Sequence, residues 1–386
     1  MSLGTRATPS GQSPSARPDD RRVAAAALAC LPGIGPATLR RLLLRFPDPT
    51  LAAEAILAGR ALELLEQPGR GAGGVERARS LAASWAGAIN LDFTRAILER
   101  RSATVLLASD PDFPIEVDLP GCPSVLFQEG ERPEALEAPR VAIVGTRAAT
   151  PAGLADAAEL GAFLAQSGIT VVSGLAIGID GSAHTGALDA GGLAIGVVAT
   201  GLDVVYPRRH VNLHARVRQG GVLIGENGFG VGPHPSRFPV RNRVLAALSD
   251  VVVVVEATLS GGARITAGRA LEYGRPLLAL PGSRRNPSAA GCNALLADGA
   301  HPLLEPSDVL VALGITPGSR RRWVAPKTAT PSGVPRRVEA ALAGEPASDD
   351  ELARRCDLSL GEIALAVGAL ERAGRVERAR GLVWPL

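Results

Sequence analysis

The sequence predicts an α/β protein built on an extended parallel sheet, with a helical domain before the sheet and a winged-helix domain after it. Short, uniformly apolar segments alternate with helical stretches from Val141 onward, which is typical of parallel strands covered on both faces. A Pro-rich, basic stretch without apolar periodicity then separates this region from the C-terminal residues. The length of 386 residues also favours two or three domains over one.

The N-terminal part divides into a tail and a helical domain. Residues 1–20 are rich in Ser, Pro and Gly, and we expect them to be disordered. Residues 21–105 are rich in Ala, Leu and Arg and predict a helical domain with a turn at the sequence LPGIG, in the form of a helix-hairpin-helix. The amides of Gly33 and Gly35 in this turn could contact a phosphate. Such loops also serve as plain connectors, and both interpretations stay open.

The sheet is predicted within residues 106–314. Its strands correspond to the apolar segments VAIVG, ITVVS, LAIGVVAT, GVLIG, VVVVV and LLALPG. Because helical stretches alternate with them, we expect an architecture of the nucleotide-binding type. In such a sheet, ligands bind beyond the carboxyl ends of the strands.

The C-terminal part consists of a predicted linker, residues 315–334, and a predicted winged helix, residues 335–386. Capping-box patterns mark two helix starts, at Ser348 with Glu351 and at Ser359 with Glu362. The expected recognition helix carries no Lys or Arg before Arg372. A helix that reads DNA should be basic on its exposed face, so we expect this domain to contact protein rather than DNA.

Bulk composition excludes several classes of protein. A hydrophobic content of 46% excludes a largely disordered chain, and 3% aromatic residues argue against extended base-stacking platforms. The net charge of +3 does not by itself indicate nucleic acid, so any basic surface must be local. The four cysteines are scattered, which indicates neither a disulfide framework nor a zinc site. No apolar run approaches the ~20 residues of a membrane span, and we expect a cytoplasmic protein without cofactor or metal.

Two turns at predicted strand ends carry residues suited to phosphate. The first strand leads into Gly145, Thr146 and Arg147, which offer close backbone approach, a hydroxyl and a guanidinium fork. The second strand leads into Ser173 and Gly174, a turn of the same kind. The spacing is not GxGxxG, so the dinucleotide fingerprint is absent. For Arg147, the alternative is an ion pair with a nearby acid.

The segment FPVRNRVLAALSD places two cations where a helix is already positive. It predicts a helix after Pro239, with Arg241 and Arg243 in its first turn and no acid beside them. A helix N-terminus favours acidic residues, so we predict that both arginines meet phosphates from outside the chain. The alternative is internal pairing with Glu226, Asp250 or Glu256.

Two further groups of polar residues leave alternatives open. Asp180 and His184 lie four apart, hence on one helix face, but without a third ligand they make a weak metal site. Structural roles, as a cap and as an internal hydrogen-bond partner, are favoured for this pair. The cluster Arg208–His210 is equally compatible with a solvated surface and with a binding role.

These motifs resemble one known family in order and spacing. The matching segments are VAIVGTRAATPAG, VVSGLAIGIDGSAHTGAL, ATGLDVVYP, FPVRNRVLAALSD, VVVEATLSGGARITAGRALEYGRPLLALPG and GCNALLADGA. They are similar to those of DNA-processing protein A (DprA, also called Smf), densely over residues 110–302. The resemblance implies a Rossmann-like core that binds single-stranded DNA without sequence preference. It also implies a homodimer that has no membrane partner. It also implies protection of incoming DNA and loading of the RecA recombinase during natural transformation.

The resemblance further implies the DNA-binding residues. In the family, the Gly-Ser/Thr-Arg motif contacts the DNA backbone, a Ser-Gly turn provides a second phosphate contact, and the Phe of the FPxRN motif touches a base or sugar. Together with Arg243, which comes from the electrostatic argument, the predicted set is Gly145, Thr146, Arg147, Ser173, Gly174, Phe238, Arg241, Asn242 and Arg243.

Two rival functions follow from parts of the sequence. Nucleotide-cleaving Rossmann proteins carry PGGxGTxxE with a catalytic glutamate, but this chain has PGSRRNPSAAGCNALL, without an acid in the corresponding place. A nucleotide phosphoribohydrolase-like enzyme would therefore depend on Asp180 and His184. The winged helix by itself would fit a transcription factor, but its weakly basic recognition helix argues against that function.

Overall fold

The computed structural model describes residues 19–65, 72–315, 333–342, 346–372, 375–379 and 382–385. The chain divides into two compact units, Met1–Pro317 and Gly318–Leu386. The predicted disordered tail (1–20) and linker (315–334) lie almost entirely outside the described residues, so both stay predictions. No helix in the described part of the chain is both long and apolar enough to cross a bilayer.

A nine-stranded sheet forms the core of the first unit. Its strands are β1 Thr104–Leu107, β2 Val125–Glu129, β3 Arg140–Val144, β4 Thr170–Ser173, β5 Ala194–Val198, β6 Gly221–Gly225, β7 Val251–Val254, β8 Leu277–Ala279 and β9 His301–Pro302. Strands β3 to β9 run parallel to one another, and β1 and β2 extend the β6 edge as antiparallel strands. Each of the apolar segments predicted as strands is a strand.

The strand order changes direction at β3. The order is β1-β2-β6-β5-β4-β3-β7-β8-β9, so the chain adds β4 to β6 on one side of β3 and then returns to add β7 to β9 on the other. A sheet of this kind has its ligand crevice at this switch point, at the carboxyl ends of the strands. The topology therefore places a crevice beyond the ends of β3 and β7.

Helices cover both faces of the sheet, as predicted from the uniformly apolar strands. They are α1 Asp20–Ala29, α2 Pro36–Arg45, α3 Pro49–Leu57, α4 Ala61–Leu65, α5 Ala72–Ala86, α6 Leu91–Arg101, α7 Pro151–Gln166, α8 Ile179–Asp189, α9 Val211–Gln219, α10 Arg237–Ala247, α11 Gly262–Glu272, α12 Ala290–Ala297 and α13 Asp308–Ala312. Along β3, Val141 and Ile143 pack with residues of α7 and α8. Ala142 and Val144 pack with residues of α10, α11 and α12, on the opposite face.

The N-terminal helices and the sheet share one hydrophobic core. Leu28 of α1 and Trp85 of α5 belong to the same buried cluster as Phe127 of β2. The buried carboxylate of Glu129 adds polar links, because it pairs with Arg101 of α6 and with Arg218 of α9 at 2.8 and 2.9 Å. The amino-acid composition thus changes at the predicted domain boundary between residues 105 and 106, but the hydrophobic core continues across it.

The turn at LPGIG connects α1 to α2 and is anchored by α5. The indole nitrogen of Trp85 donates a hydrogen bond to the carbonyl of Pro32 at 2.9 Å. Gly33 has φ +67, and a Cβ there would lie 2.9 Å from Cδ1 of Leu81. A side chain at Gly33 would therefore be strained both by its backbone and by α5.

The second unit is a winged helix, as predicted. Its elements are α14 Val334–Leu342, α15 Asp349–Cys356, α16 Leu360–Arg372 and the antiparallel pair β10 Val376–Ala379 and β11 Leu382–Pro385. The predicted capping box at Ser359 is present, because its amide donates to the Glu362 carboxylate at 2.9 Å and its hydroxyl accepts from the Glu362 amide at 3.4 Å. A protein contact by this domain stays a prediction.

Helix α10 begins earlier than the sequence predicts. It starts at Arg237 rather than after Pro239, so Arg241 and Arg243 lie in its second turn. Proline is compatible with this start, because amides of the first turn have no partner within a helix. The cation of the first turn is Arg237, whose guanidinium donates to the Gly232 carbonyl at 2.9 Å. The premise that Arg241 and Arg243 occupy the first turn is therefore wrong.

Candidate nucleic-acid interface

A cleft of about 640 Å³ opens at the carboxyl ends of β3 and β7. We call it the switch-point cleft. Its walls come from the loop after β3, the start of α8, the first turns of α10 and the start of α11. The predicted DNA-binding residues that line it are Gly145, Thr146, Arg147, Phe238, Arg241 and Asn242. The others, Ser173, Gly174 and Arg243, are not among the residues that line it.

Arg241 lines the cleft from a buried position and is only 7% exposed. One of its terminal nitrogens donates to the carbonyl of Val197, whereas its Nε atom is enclosed without a hydrogen-bond partner among the described residues. Burial lowers the pKa of Arg241, and the carboxylate of Asp180 opposes that shift. A buried guanidinium with unused donors is costly, and an anion that reaches it is favoured.

Ser173 and Gly174 are enclosed within the fold. The Ser173 hydroxyl is fully buried and donates to the carbonyl of Ile143 at 2.6 Å. The Gly174 amide donates to the carboxylate of Asp180 at 3.1 Å. A Cβ on Gly174 would lie 2.1 Å from a terminal nitrogen of Arg241, so only glycine leaves room for that guanidinium. The polar groups of these residues are therefore used within the fold, and a phosphate contact by this turn stays a prediction.

Arg243 has an internal partner. It forms an ion pair with Glu226 and donates to the carbonyl of Gly121. The two side chains of the pair are 12% and 8% exposed. Burial raises the pKa of Glu226, and the charge of Arg243 opposes the shift. The structure thus realises the alternative of internal pairing for Arg243, whose charge is used within the fold.

The loop after β3 brings a tightly packed glycine and an exposed arginine to the cleft. A Cβ on Gly145 would lie 2.4 Å from Cγ1 of Ile179, so the backbone there tolerates only glycine. The Thr146 hydroxyl accepts from the amide of Ala148 at 3.2 Å. Arg147 is exposed, and its guanidinium carbon lies 4.9 Å from the centroid of the Phe238 ring, within the range of a cation–π contact.

Tyr206 is a cleft residue that sequence reasoning missed. Its ring centroid lies 5.5 Å from that of Phe238, and the residue is 40% exposed. Arg147, Phe238 and Tyr206 therefore form a row along the cleft. The available signal was an aromatic residue just before a proline, in the loop that follows β5 and in a chain with two tyrosines in total. Arg208 and Arg209, which follow Tyr206, are also exposed.

Two helix starts near the cleft differ in how their amides are used. At α7, the Glu256 carboxylate accepts from the amide and hydroxyl of Thr150 at 2.9 and 2.6 Å. An internal anion therefore already occupies this N-terminus. At α11, Gly261 precedes the helix without a side-chain cap, and Gly261 and Gly262 line the cleft. Asn242 fixes this start through a hydrogen bond from its amide to the Gly262 carbonyl at 3.3 Å.

Asp180 and His184 do not form an acid–base pair at the cleft. Asp180 lines it, but His184 does not and is completely buried. Burial lowers the pKa of His184 to about 3, so the ring is neutral near pH 7. In the described parts of the chain, no group of three or more His, Cys, Asp or Glu residues is placed to hold a metal ion.

The fold and the cleft define a class: a Rossmann-like α/β protein with a candidate anion site at the switch point of its sheet and an appended winged helix. The family model for DNA recombination-mediator protein A matches residues 104–314, and that for the DprA winged helix domain matches residues 324–381. The chain therefore belongs to the DprA/Smf family.

Individual relatives agree with this assignment. Protein Smf of Synechocystis is 32% identical over 319 residues, which cover 74% of this chain and 80% of that protein. A putative DNA processing protein DprA of Mycobacterium tuberculosis is 46% identical over 178 residues, or 46% of each protein. The X-ray structure of DprA from Streptococcus pneumoniae matches with a TM-score of 0.62 and 28% identity, covering 75% of this chain and 97% of that one.

Proposed function

We propose that this protein binds single-stranded DNA in the switch-point cleft and acts in DNA recombination. A backbone phosphate lies against Arg241 and the start of α11, and a base or sugar lies against Phe238. Arg147 holds a neighbouring phosphate at the rim. The finer steps that we propose, on the strength of family membership, are protection of incoming DNA and loading of RecA during natural transformation, by a cytoplasmic homodimer.

The observation that carries the proposal is the state of Arg241. The Arg241 guanidinium is only 7% exposed and donates few hydrogen bonds within the protein. Its positive charge is therefore buried and incompletely compensated. No salt bridge joins it to a carboxylate in the described part of the chain, although Asp180 acts on it from a greater distance. A phosphate oxygen in the cleft would accept from a terminal nitrogen of this guanidinium and compensate its charge.

The aromatic row supports a single strand over a duplex. Every base has a π face that can stack on an aromatic ring, but in a duplex those faces are covered by neighbouring bases. Phe238 and Tyr206 offer such rings beside the proposed phosphate position. Stacking and phosphate contacts do not discriminate between bases, so we expect binding without sequence preference.

The proposed contact set is narrower than the set predicted from the sequence. Direct contacts are assigned to Gly145, Thr146, Arg147, Phe238, Arg241 and Asn242. Ser173 and Gly174 act indirectly, by shaping the space that Arg241 occupies. Arg243 stabilises the fold through Glu226.

The test is a binding titration of the full chain with a fluorescent oligothymidine and with a duplex of equal length, across a salt series. The proposal predicts tight, salt-sensitive binding to the single strand and weak binding to the duplex. Arg147→Ala should reduce the slope of log K against log salt by about 0.7 for each phosphate of the single strand that the variant no longer binds.

The matched control is Arg132→Ala, which removes the same charge from an exposed pair with Glu134. It should leave the slope unchanged. Equal affinity for single strand and duplex, or an unchanged slope in folded Arg147→Ala, would contradict the proposed mode of binding.

A further inference from the structure

A second cavity lies against α10, on a different side from the switch-point cleft. Its volume is about 410 Å³. Its walls are the α1–α2 connection, residues 31–35, and the first turns of α10, and its floor includes Val197, Val198 and residues 226–228. We call it the hairpin cleft. It belongs entirely to the first compact unit.

Helix α10 separates the two clefts, and one side chain reaches both. The residues of α10 that line the switch-point cleft are Phe238, Pro239, Arg241, Asn242 and Leu245. Those that line the hairpin cleft are Arg237, Val240, Arg241 and Val244. Arg241 is therefore common to both cavities, and its enclosed Nε atom has no partner in the described part of the chain.

The rim of the hairpin cleft offers groups that favour an anion. Gly35 caps α2 without a side chain, and its amide has no hydrogen-bond acceptor among the described residues. A Cβ on Gly35 would meet nothing within 4 Å, so space is open beside this helix start. Arg237 lines the cleft from the opposite wall. The one carboxylate in the lining, Glu226, is compensated by Arg243.

We propose that the hairpin cleft is a second nucleotide subsite, which receives the continuation of the single strand bound in the switch-point cleft. This inference rests on the proposed function. The strand crosses the first turn of α10, where Ser236 provides no side-chain cap and the helix end is positive. Its next phosphate lies between the Gly35 amide and Arg237. Apolar wall residues such as Leu31, Ile34 and Val240 accept the face of a base or sugar.

Strand length separates the two subsites experimentally. A helix with its side chains is about 10–12 Å across, so only an oligonucleotide long enough to pass over α10 reaches both clefts. A short oligothymidine that fills the switch-point cleft should be insensitive to changes in the hairpin cleft. A longer one should respond to changes in both.

The principal variant is Gly35→Asp. Gly35 has φ −107 and ψ 165, an extended conformation in which Asp is a preferred N-cap, so the fold should be kept or stabilised. The new carboxylate would occupy the free amides of α2 and repel a phosphate. We expect affinity for the long oligothymidine to fall about tenfold, as for the loss of one charge-assisted hydrogen bond, with no change for the short one.

The matched control is Gly87→Asp. Gly87 lies in an exposed turn of the same helical region, and a Cβ there also meets nothing within 4 Å. It adds the same charge outside the lining of either cleft. A second variant, Arg237→Gln, keeps a donor for the Gly232 carbonyl but removes the charge, and should lower the salt slope only for the long oligothymidine.

The outcomes distinguish the two proposals. If Gly35→Asp equals Gly87→Asp at every length while Arg147→Ala still weakens binding, the hairpin subsite is refuted and the proposed function stands. If the unmodified protein binds neither oligothymidine, both fall. A loss in Gly35→Asp that is confined to the long strand supports the second subsite.

Discussion

Arg241 and Arg243 lie two residues apart in α10, but their side chains have different kinds of hydrogen-bond partner. Arg243 pairs with the buried carboxylate of Glu226, whereas Arg241 is buried with a backbone carbonyl as its protein acceptor. Positions two apart point to different sides of a helix, so neighbouring charges can serve different purposes. A buried arginine contributes to structure where a carboxylate forms a direct ion pair with it, and is a candidate for ligand binding where no such pair is formed.

The largest effect on stability is expected when Arg243 is replaced. Arg243→Ala leaves Glu226 buried without its partner, so we expect the free energy of unfolding to fall by about 3–5 kcal/mol. Urea denaturation measures this loss. The affinity of the folded fraction for single-stranded DNA should stay close to that of the unmodified protein.

The control for this prediction is the double change Arg243→Met with Glu226→Leu. Replacing both members of a buried ion pair with apolar residues is often nearly neutral, so much of the lost stability should return. If Arg243→Ala instead weakened DNA binding without affecting stability, the assignment of Arg243 to the fold would be wrong.

The second prediction tests Arg241. Arg241→Gln removes the cation from the cleft, and we expect affinity for single-stranded DNA to fall roughly ten- to a hundredfold, the range for a charge-assisted hydrogen bond. Fluorescence anisotropy measures the affinity, and thermal melting checks that the variant is folded. Arg132→Gln, at an exposed pair, is the matched charge control. Unchanged affinity in folded Arg241→Gln would remove the main support for the proposed function.

The smallest effect is expected for two buried histidines, His184 and His214. Burial lowers the pKa of His184 to about 3 and that of His214 to about 4, so both rings stay neutral in the folded protein under mild acid. In the unfolded chain both histidine rings bind protons near pH 6.5. The stability that their burial in the neutral form allows is therefore fully present above that pH, and it is lost as the pH falls from about 6.5 toward their pKa values in the folded protein. Each histidine should contribute a slope of about 1.4 kcal/mol per pH unit in that window.

Urea denaturation at neutral and mildly acidic pH checks this prediction. His214→Asn should reduce the loss of stability in acid by about 1 kcal/mol, whereas His301→Asn, at an exposed position, should leave it unchanged. An acid loss that does not depend on His214 would contradict the assignment.

Local sequence patterns predicted the sheet and the position of its cleft, but not every residue of the cleft. Uniformly apolar strands predicted the doubly covered sheet, and glycine-rich turns after strands predicted where its cleft would open. Tyr206 was missed because no local pattern indicates that its ring will meet Phe238. Ser173 and Gly174 fit phosphate ligands by residue type, but burial and internal acceptors use their polar groups.

Local sequence patterns predicted six of the nine strands, β3 to β8, the winged helix and the residues at the strand ends, because periodicity, capping and turn chemistry are local properties. Which of the charged residues among them lack an ion-pair partner depends on the tertiary structure. Glu226, which lies outside the FPVRN segment, reaches Arg243 but not Arg241, and Glu256 closes the start of α7 but not that of α11. Such pairing depends on which elements lie next to each other in the fold. Electrostatic attraction between two charged groups weakens with the distance between them, so only groups that the fold brings close together form a pair.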